Sequence, residues 1–391
     1  MKTRVVILLA LAFAVGAGGV AEAQKPLLLG GSVSLSGRYA KNGEYQHQAW
    51  ELWVEHVNAR GGLLGRPVEL KAYDDRSDPA TGARLYEKLV TGDRVALLMG
   101  PYSSPVTAAV TTVAEKHKMA LVAPVAVADE IWQRGYRFSF QVITPGRLEF
   151  PGTVELIAQY GLKSMAITGE DSDYPRNAIP ATMELAEKRG IKVYNLGYYP
   201  KGTKDYSTIV LRAKSAGAEA FVCACYSPDS IQLTRQSKEM NYNAKMFVLS
   251  VGPALPDFLT TLGKDSEYIM SPDHWDARLK TPGNPEFVAA FTKRFGREPN
   301  YNAAAGYGGM QILEAAVKAA GSLDQEKLRE ALLRLDTVTV FGRYKVTETG
   351  AQVGKELFIV QWQRGKKEII WPADLATAKP IVPTPPWSER Q

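Results

Sequence analysis

Apolar runs of strand length alternate with amphipathic helical stretches along most of the chain. The first run, Leu27–Ser34, is followed by Gly43–Arg60, whose apolar residues recur at helical spacing until Gly61-Gly62 ends the helix. The next strands and helices are predicted in turn at Val68–Tyr73, Asp78–Thr91, Val95–Gly100, Ser103–Lys118 and Met119–Ala123. Strands separated by single helices indicate a parallel sheet that helices cover on both faces.

A second series of the same kind begins beyond the middle segment Phe138–Arg147, which ends in Thr144-Pro145-Gly146. Its strands and helices are predicted in turn at Ser164–Thr168, Pro175–Arg189, Lys192–Tyr198, Tyr206–Ser215, Glu219–Cys225, Pro228–Met240 and Lys245–Val251. Two series predict an α/β protein made of two doubly wound parallel-sheet lobes.

Three segments are expected to connect the lobes: Phe138–Arg147, Met270–Trp275 and a place near Phe341-Gly342. Lobe 1 would then contain residues 24–143 and 275–341, including the helices predicted at Pro285–Phe295, Ala303–Ala320 and Asp324–Leu335. Lobe 2 would contain residues 144–274 and 342–378, closed by the strand Glu356–Gln363. The proline-rich residues 379–391 are expected to form an extended, unpacked tail. A hinge of three segments can close two lobes around a cleft.

The first residues have the parts of a secretory signal peptide. Lys2 and Arg4 form a positive region, Val5–Val15 is apolar, and Ala21-Glu22-Ala23 fits the A-x-A cleavage pattern. The apolar run is shorter than the roughly 20 residues that span a bilayer. No cysteine follows the cleavage site directly. We therefore expect cleavage after Ala23 and an untethered protein in the periplasm.

Composition and charge exclude other classes of protein. The hydrophobic fraction of 45% is that of a globular protein. The formal charge of +6 becomes +5 when residues 1–23 are removed, because they hold two cations and one anion. No basic block interleaved with aromatic residues is present, so nucleic acid is not an expected partner.

Motifs of catalysis, cofactor binding and metal binding are absent from the sequence. The string Gly306-Tyr307-Gly308-Gly309 lies within a helical stretch and has no P-loop lysine. The pair Asp74-Asp75 favours loop ordering and helix capping over acid–base chemistry. Cys223 and Cys225 are predicted to be small buried residues of one strand, and the histidines have no ligand spacing. We predict no catalytic residue, no cofactor and no metal.

The ends of the strands carry hydroxyl groups instead. Gly100-Pro101-Tyr102-Ser103-Ser104-Pro105 follows one strand and opens a helix, so free backbone N–H groups and two serine hydroxyls could hold a carboxylate there. An ordinary serine N-cap explains the loop equally well. In the second lobe, Tyr174 and Tyr226 follow strands and could close over a solute.

Four strings carry a resemblance that runs over nearly the whole chain: Val57–Gly62, Tyr73–Pro79, Gly100–Ser104 and Phe291–Pro299. On them the chain resembles the periplasmic leucine/isoleucine/valine-binding protein family, which has the type I periplasmic binding fold. The resemblance implies a monomeric receptor that closes on a small solute and delivers it to ABC permease subunits with cytoplasmic ATPases. The same fold serves sensor modules that partner a membrane receptor or regulator, and this is the alternative function.

Matched to the family position by position, the first-lobe contacts fall on Tyr102, Ser103, Ser104, Val125, Ala126 and Val127. The second-lobe contacts fall on Tyr174, Tyr226 and Val251. The loop Ser36–Asn42 would add a contact from Asn42, with Tyr39 close by.

Two of these positions depart from the amino-acid binders of the family. Those proteins hold the ammonium of the ligand with a hydroxyl at the position of Val127 and a carboxylate at that of Val251, and both are valine here. A buried ammonium without acceptors is unfavourable by several kcal/mol. The departures therefore favour an aromatic or aliphatic acid without an α-ammonium over an amino acid. Another acceptor such as Asp273, or a shifted alignment, would restore the amino acid.

Overall fold

The computed structural model describes residues 25–390, and the predicted signal peptide lies outside them. Within this range no helix is long and apolar enough to cross a membrane. The helices are α1 (Ala40–Ala59), α2 (Pro79–Glu87), α3 (Ser104–Lys116), α4 (Pro151–Gln159), α5 (Asp173–Lys188), α6 (Ser207–Ala216), α7 (Ser227–Glu239), α8 (Pro256–Leu262), α9 (Asn284–Phe295), α10 (Tyr301–Ala320) and α11 (Gln325–Arg334). The strands are β1 (Leu27–Val33), β2 (Val68–Asp74), β3 (Leu97–Met99), β4 (Leu121–Ala123), β5 (Ser139–Gln141), β6 (Ser164–Glu170), β7 (Lys192–Tyr199), β8 (Ala220–Ala224), β9 (Met246–Leu249), β10 (Met270–Asp273), β11 (Thr337–Thr339), β12 (Gly342–Tyr344), β13 (Phe358–Gln363) and β14 (Lys366–Trp371).

Two main sheets form the centres of the two lobes. The sheet of lobe 1 has the order β2-β1-β3-β4-β5, and all its strands are parallel. The sheet of lobe 2 has the order β14-β13-β10-β9-β8-β6-β7, in which β6 to β10 are parallel and β13 and β14 are antiparallel. The predicted α/β class with two doubly wound sheets is confirmed.

Alternating side chains of the central strands enter two different cores. In β3, Leu97 and Met99 pack with the tryptophans of α1, whereas Leu98 packs on the other face with Tyr86 and Val106. In β8 the cysteine Cys223 points to the core beneath α6 and α7, as does the following Cys225. Both cysteines are buried with free thiols, as predicted. Burial on both faces explains why these strands are continuous apolar runs.

The predicted loop-ordering role of Asp74-Asp75 is also confirmed. The buried Asp75 carboxylate accepts hydrogen bonds from the hydroxyls of Ser32 and Ser34, at 2.8 and 2.7 Å, and from the N–H of Ser77. Asp78 caps α2 through the N–H of Thr81. The pair thus fixes the loop after β2 against the carboxyl end of β1.

The third connection between the sheets lies later than Phe341-Gly342. Gly342 pairs with Thr339 in the hairpin of β11 and β12. Beyond the hairpin, the N–H of Gln352 donates to the side chain of Gln141 in lobe 1, and the N–H of Gln141 donates to Gly350 O. The chain reaches the second sheet only after these contacts, at β13, because the segment first covers the edge strand β5.

The C-terminal segment is packed, in contrast to the expectation of an unpacked tail. Trp387 is buried against Phe247, and its Nε1 donates to Tyr242 O at 2.8 Å. The guanidinium of Arg390 is buried on the Trp387 ring and donates to Glu267 O and to the side chain of Asn243. The prolines keep the segment extended, but its aromatic and arginine side chains anchor it to lobe 2.

Candidate functional site

A cavity lies between the lobes at the carboxyl ends of their central strands. It encloses about 360 Å³ not occupied by protein atoms, including the part open to solvent. We call it the interlobe cavity, and it is lined by Tyr102, Ser103, Ser104, Val125, Val127, Ile143, Glu149, Tyr174, Tyr226, Val251, His274 and Tyr301. The carboxyl ends of parallel strands are where open α/β sheets bind ligands.

The loop between β3 and α3 forms the wall of the cavity in lobe 1. Gly100 begins it because a Cβ there would lie 2.8 Å from Ala123 Cα on the neighbouring strand. Ser103 is the N-cap residue of α3 and has φ 75°, a backbone conformation that is strained for serine. Local strain of this kind concentrates at functional sites.

The two serines of this loop have different surroundings. Ser104 Oγ accepts hydrogen bonds from the N–H groups of Val127 and Ala128, at 3.0 and 3.1 Å. Among residues 25–390, the buried Ser103 Oγ has no hydrogen-bond partner. Ser103 therefore offers a hydroxyl beside the N-terminus of α3, where free N–H groups and the helix dipole favour an anion.

Tyrosines form much of the opposite wall. The hydroxyls of Tyr174 and Tyr226 are buried and have no hydrogen-bond partner within the described chain. Burial raises the pKa of both phenols well above the ordinary value, so both are neutral donors. Val251 adds an apolar surface and has φ 61°, a rare conformation for a β-branched residue.

Ionic contacts hold the lobes together over this cavity. Arg38 of lobe 1 donates to both carboxylate oxygens of Asp229 in lobe 2, each at 2.7 Å, and also pairs with Glu170. The neighbouring Tyr39 ring lies 4.9 Å from that of Tyr226 across the cleft. We call Arg38, Glu170 and Asp229 the interlobe ion cluster. The structure is therefore a closed arrangement of the lobes.

Three predicted contact residues do not line the cavity. Tyr39 covers it from outside, packed between the rings of Tyr102 and Tyr226. Asn42 is buried within α1, and Ala126 points away from the cavity into a small core with Trp132. The other predicted positions, including Val127 and Val251, are on the lining.

Four lining residues escaped the sequence reasoning: Ile143, Glu149, His274 and Tyr301. Ile143, Glu149 and His274 come from segments that connect the lobes, and Tyr301 begins α10 next to its capping residue Asn300. One signal in the sequence could have identified Glu149. It is a carboxylate between two apolar residues, Leu148 and Phe150, just before the start of the helix α4 at Pro151. Asp273, the alternative acceptor, is buried in an ion pair with Lys367 at 2.5 Å and is not on the lining.

Glu149 supplies the carboxyl group of this lining among residues 25–390, and its surroundings shift its pKa. Burial, reinforced by the charge of Asp273, raises its pKa to about 8, and the neighbouring Tyr174 hydroxyl opposes this rise only in part. Burial, with the charge of Lys355, holds the pKa of His274 well below its usual value, so the imidazole is neutral at pH 7. Among the described residues, the lining thus contains a carboxyl group without a compensating cation. Residues 25–390 contain no cluster of side chains suited to a metal ion.

Comparison with known proteins relates the whole chain to one family. The model of the family described as "Periplasmic binding protein" matches residues 26–367. The Leu/Ile/Val-binding protein homolog 7 of Brucella abortus is 28% identical over 399 residues, which cover 96% of this chain and 99% of that protein.

Solved structures with different ligands share the fold. The branched-chain amino acid transporter substrate binding protein LivJ from Streptococcus pneumoniae, in complex with isoleucine, superposes with a TM-score of 0.82 at 20% identity, covering 89% of this chain and 100% of that one. An ABC transporter solute binding protein from R. palustris, in complex with benzoate, has a TM-score of 0.78 at 20% identity, covering 92% and 99%. The fold accommodates both an amino acid and an aromatic acid.

Proposed function

The chain belongs to the periplasmic binding protein family, and from this premise we propose that it is the solute receptor of an ABC importer. It would work in the periplasm as a monomer and close on a small carboxylate-bearing solute. It would then present its closed form to permease subunits that cytoplasmic ATPases drive. It binds the solute without changing it chemically.

One observation carries this proposal: the buried, unpartnered Ser103 hydroxyl beside the N-terminus of α3, in a cavity closed by the second lobe. Such a combination suits a carboxylate, whose oxygens can accept from the hydroxyl and from free N–H groups. The valine, isoleucine and tyrosine lining suits an apolar body of limited size. The relatives named for Leu/Ile/Val binding and the structural neighbours with isoleucine and benzoate support the same class of solute.

Binding must favour the closed arrangement, because a solute shifts an equilibrium only by its different affinities for the two states. Contacts from both lobes supply that difference. A solute that contacts Ser103 alone would bind the open and closed forms equally and leave their ratio unchanged. A solute that also contacts Tyr174 and Tyr226 binds the closed form more tightly, because only that form brings both lobes to it.

A thermal-shift screen tests the proposal. We expect one or more amino acids, aromatic acids or aliphatic acids to raise the melting temperature, since a solute at 100 times its Kd adds about 2.7 kcal/mol. Amines of matched shape, 3-methylbutylamine and 2-phenylethylamine, are the control and should raise the melting temperature less than the carboxylates do. Stabilisation by the amines alone, or by no carboxylate, would contradict the proposal.

A further inference from the structure

The interlobe cavity has a second polar end, formed around Glu149. This residue lies between a short helical turn, Gly146–Leu148, and α4, and its side chain is almost completely buried. Among residues 25–390, its Oε2 has no hydrogen-bond partner, and the single basic nitrogen within 4.0 Å is His274 Nε2, at 3.6 Å. A buried carboxyl oxygen of this kind is unfavourable unless something pairs with it.

No group within residues 25–390 supplies the missing charge. The imidazole of His274 is neutral and therefore provides no positive charge. Asp273, at the end of β10, repels an ionised Glu149 even though Lys367 pairs with Asp273. Several elements contribute titratable or charged groups around the Glu149 carboxyl. These groups are Tyr102, Tyr174, Asp273, His274, Tyr301 and, further away, Lys355. The phenols are neutral, so an ionised Glu149 would lack a counter-charge within residues 25–390.

The rest of the lining points to where a cation would bind. The side chains of Val127 and Val251 have no hydrogen-bond acceptor. Among the described residues that line the cavity, Glu149 is the one with a carboxylate. Ser103 and the start of α3 form an end that favours an anion. One cavity therefore has an anion-binding end and an acidic end.

We propose that the Glu149 carboxylate receives the ammonium of the solute, in place of acceptors at Val127 and Val251, and so selects amino acids over acids that lack the ammonium. This inference rests on the proposed function and adds the residue that decides specificity within it. An ammonium gives Glu149 the counter-charge that residues 25–390 do not provide, and Glu149 stabilises a charge that the side chains of the two valines cannot.

An ammonium bound to Glu149 changes the number of protons that the protein takes up or releases when a solute binds. With an ammonium bound, Glu149 is ionised. With a solute that lacks the ammonium, Glu149 stays buried without a counter-charge, and since burial raises its pKa to about 8 it is protonated at pH 7. Both complexes are compared with the same free protein. The net proton uptake on binding should therefore be about one proton greater for the acid than for the amino acid. This difference should shrink as the pH rises through about 8.

Calorimetric titration at pH 7 in two buffers of different ionisation enthalpy measures this difference. The probes are leucine and phenylalanine against 4-methylpentanoate and 3-phenylpropanoate, which have the same carbon skeletons without the amino group. We expect the amino acid to bind at least about 10-fold more tightly and the acid to take up about one extra proton.

The variant Glu149→Gln is measured in the same titration. We expect it to weaken amino-acid binding at least about 10-fold, to change the affinity for the acid by less than about 3-fold, and to abolish the difference in proton uptake. The matched control is Glu155→Gln on the adjacent helix α4, where the carboxylate forms an exposed ion pair with Arg189. This control should leave both affinities unchanged. The comparison of solutes on the unaltered protein decides the matter even if the Glu149 variant fails to fold.

Two results would overturn the assignment in different ways. Preference for the acids, or equal proton uptake by both members of a pair, would remove Glu149 as the ammonium acceptor and leave the proposed receptor function intact. Binding of neither series would overturn the receptor function for carboxylates and the role of Glu149 with it.

Discussion

Ser103 and Ser104 are neighbours in sequence, yet they have different roles in the site. Ser104 Oγ is occupied by two backbone N–H groups of the loop at Val127, so it holds the two loops of lobe 1 together. Ser103 Oγ is buried and unpartnered within residues 25–390. We expect the Ser103 hydroxyl to contribute to binding more than to folding, because no group of the described chain bonds to it.

Alanine substitutions separate these roles. We expect Ser103→Ala to raise the Kd for the carboxylate solute by about 10-fold or more, because a hydrogen bond to a charged group contributes about 1.5–3 kcal/mol, with little change in melting temperature. Ser104→Ala should lower the melting temperature as well, since it leaves two buried N–H groups unpaired. Calorimetry and thermal unfolding measure the two effects. Equal stability losses in both variants would refute the distinction.

Part of the site could be predicted from sequence because it is local. Tyr102, Ser103 and Ser104 lie within a few residues of a strand end and a helix start, and both signals are visible in a short window. Glu149 and His274 become neighbours only when two connecting segments, more than a hundred residues apart, converge in the folded chain. No periodicity marks such a position, so the sequence alone favours an acid without an ammonium, and Glu149 is identified as a lining residue only from the folded chain.

Most of the order of strands and helices was predictable for the same reason, since most elements have their own apolar period. The sequence did not predict the helices α4 and α8 or the strands β5, β10, β11, β12 and β14. The strands that escaped prediction had weak local signals. β5 is three residues long, and β14 begins with charged residues and pairs antiparallel with β13 at the edge of the sheet. The length of β5 is too short to show alternation, and an edge strand tolerates polar side chains.

The C-terminal segment provides a test at the level of one structural element. Trp387 is buried in the core of lobe 2 under α6 and α7, so Trp387→Ala should cost about 3–5 kcal/mol of unfolding free energy. Leu375→Ala, at an exposed leucine of the same C-terminal region, is the control and should change stability by less than about 0.5 kcal/mol. Denaturant unfolding measures both. Equal stability of the Trp387 variant and the wild type would restore the unpacked tail that composition suggested.

At the scale of the whole molecule, the interlobe ion cluster bears on closure. Removing Arg38 leaves Glu170 and Asp229 as two carboxylates close together in a buried place, which disfavours the closed arrangement. Neither carboxylate lines the interlobe cavity. The cluster therefore acts on affinity through the position of the lobes.

We expect Arg38→Ala to raise the Kd for the solute by about 10-fold or more, and to increase the radius of gyration at a given solute concentration. The control is Arg176→Ala, which removes an exposed pair with Asp171 and should change the Kd by less than about 2-fold. Calorimetry and small-angle X-ray scattering provide the two readings. An unchanged Kd in the Arg38 variant would show that the cluster forms without contributing to closure.

The most direct test of the whole account is a crystal structure of the protein with the solute that the screen identifies. The account predicts density for that solute in the interlobe cavity, with its carboxylate within hydrogen-bond distance of Ser103 Oγ and the N-terminus of α3, and with the lobes closed as described here. A solute bound elsewhere, or one whose carboxylate lies away from Ser103, would contradict it.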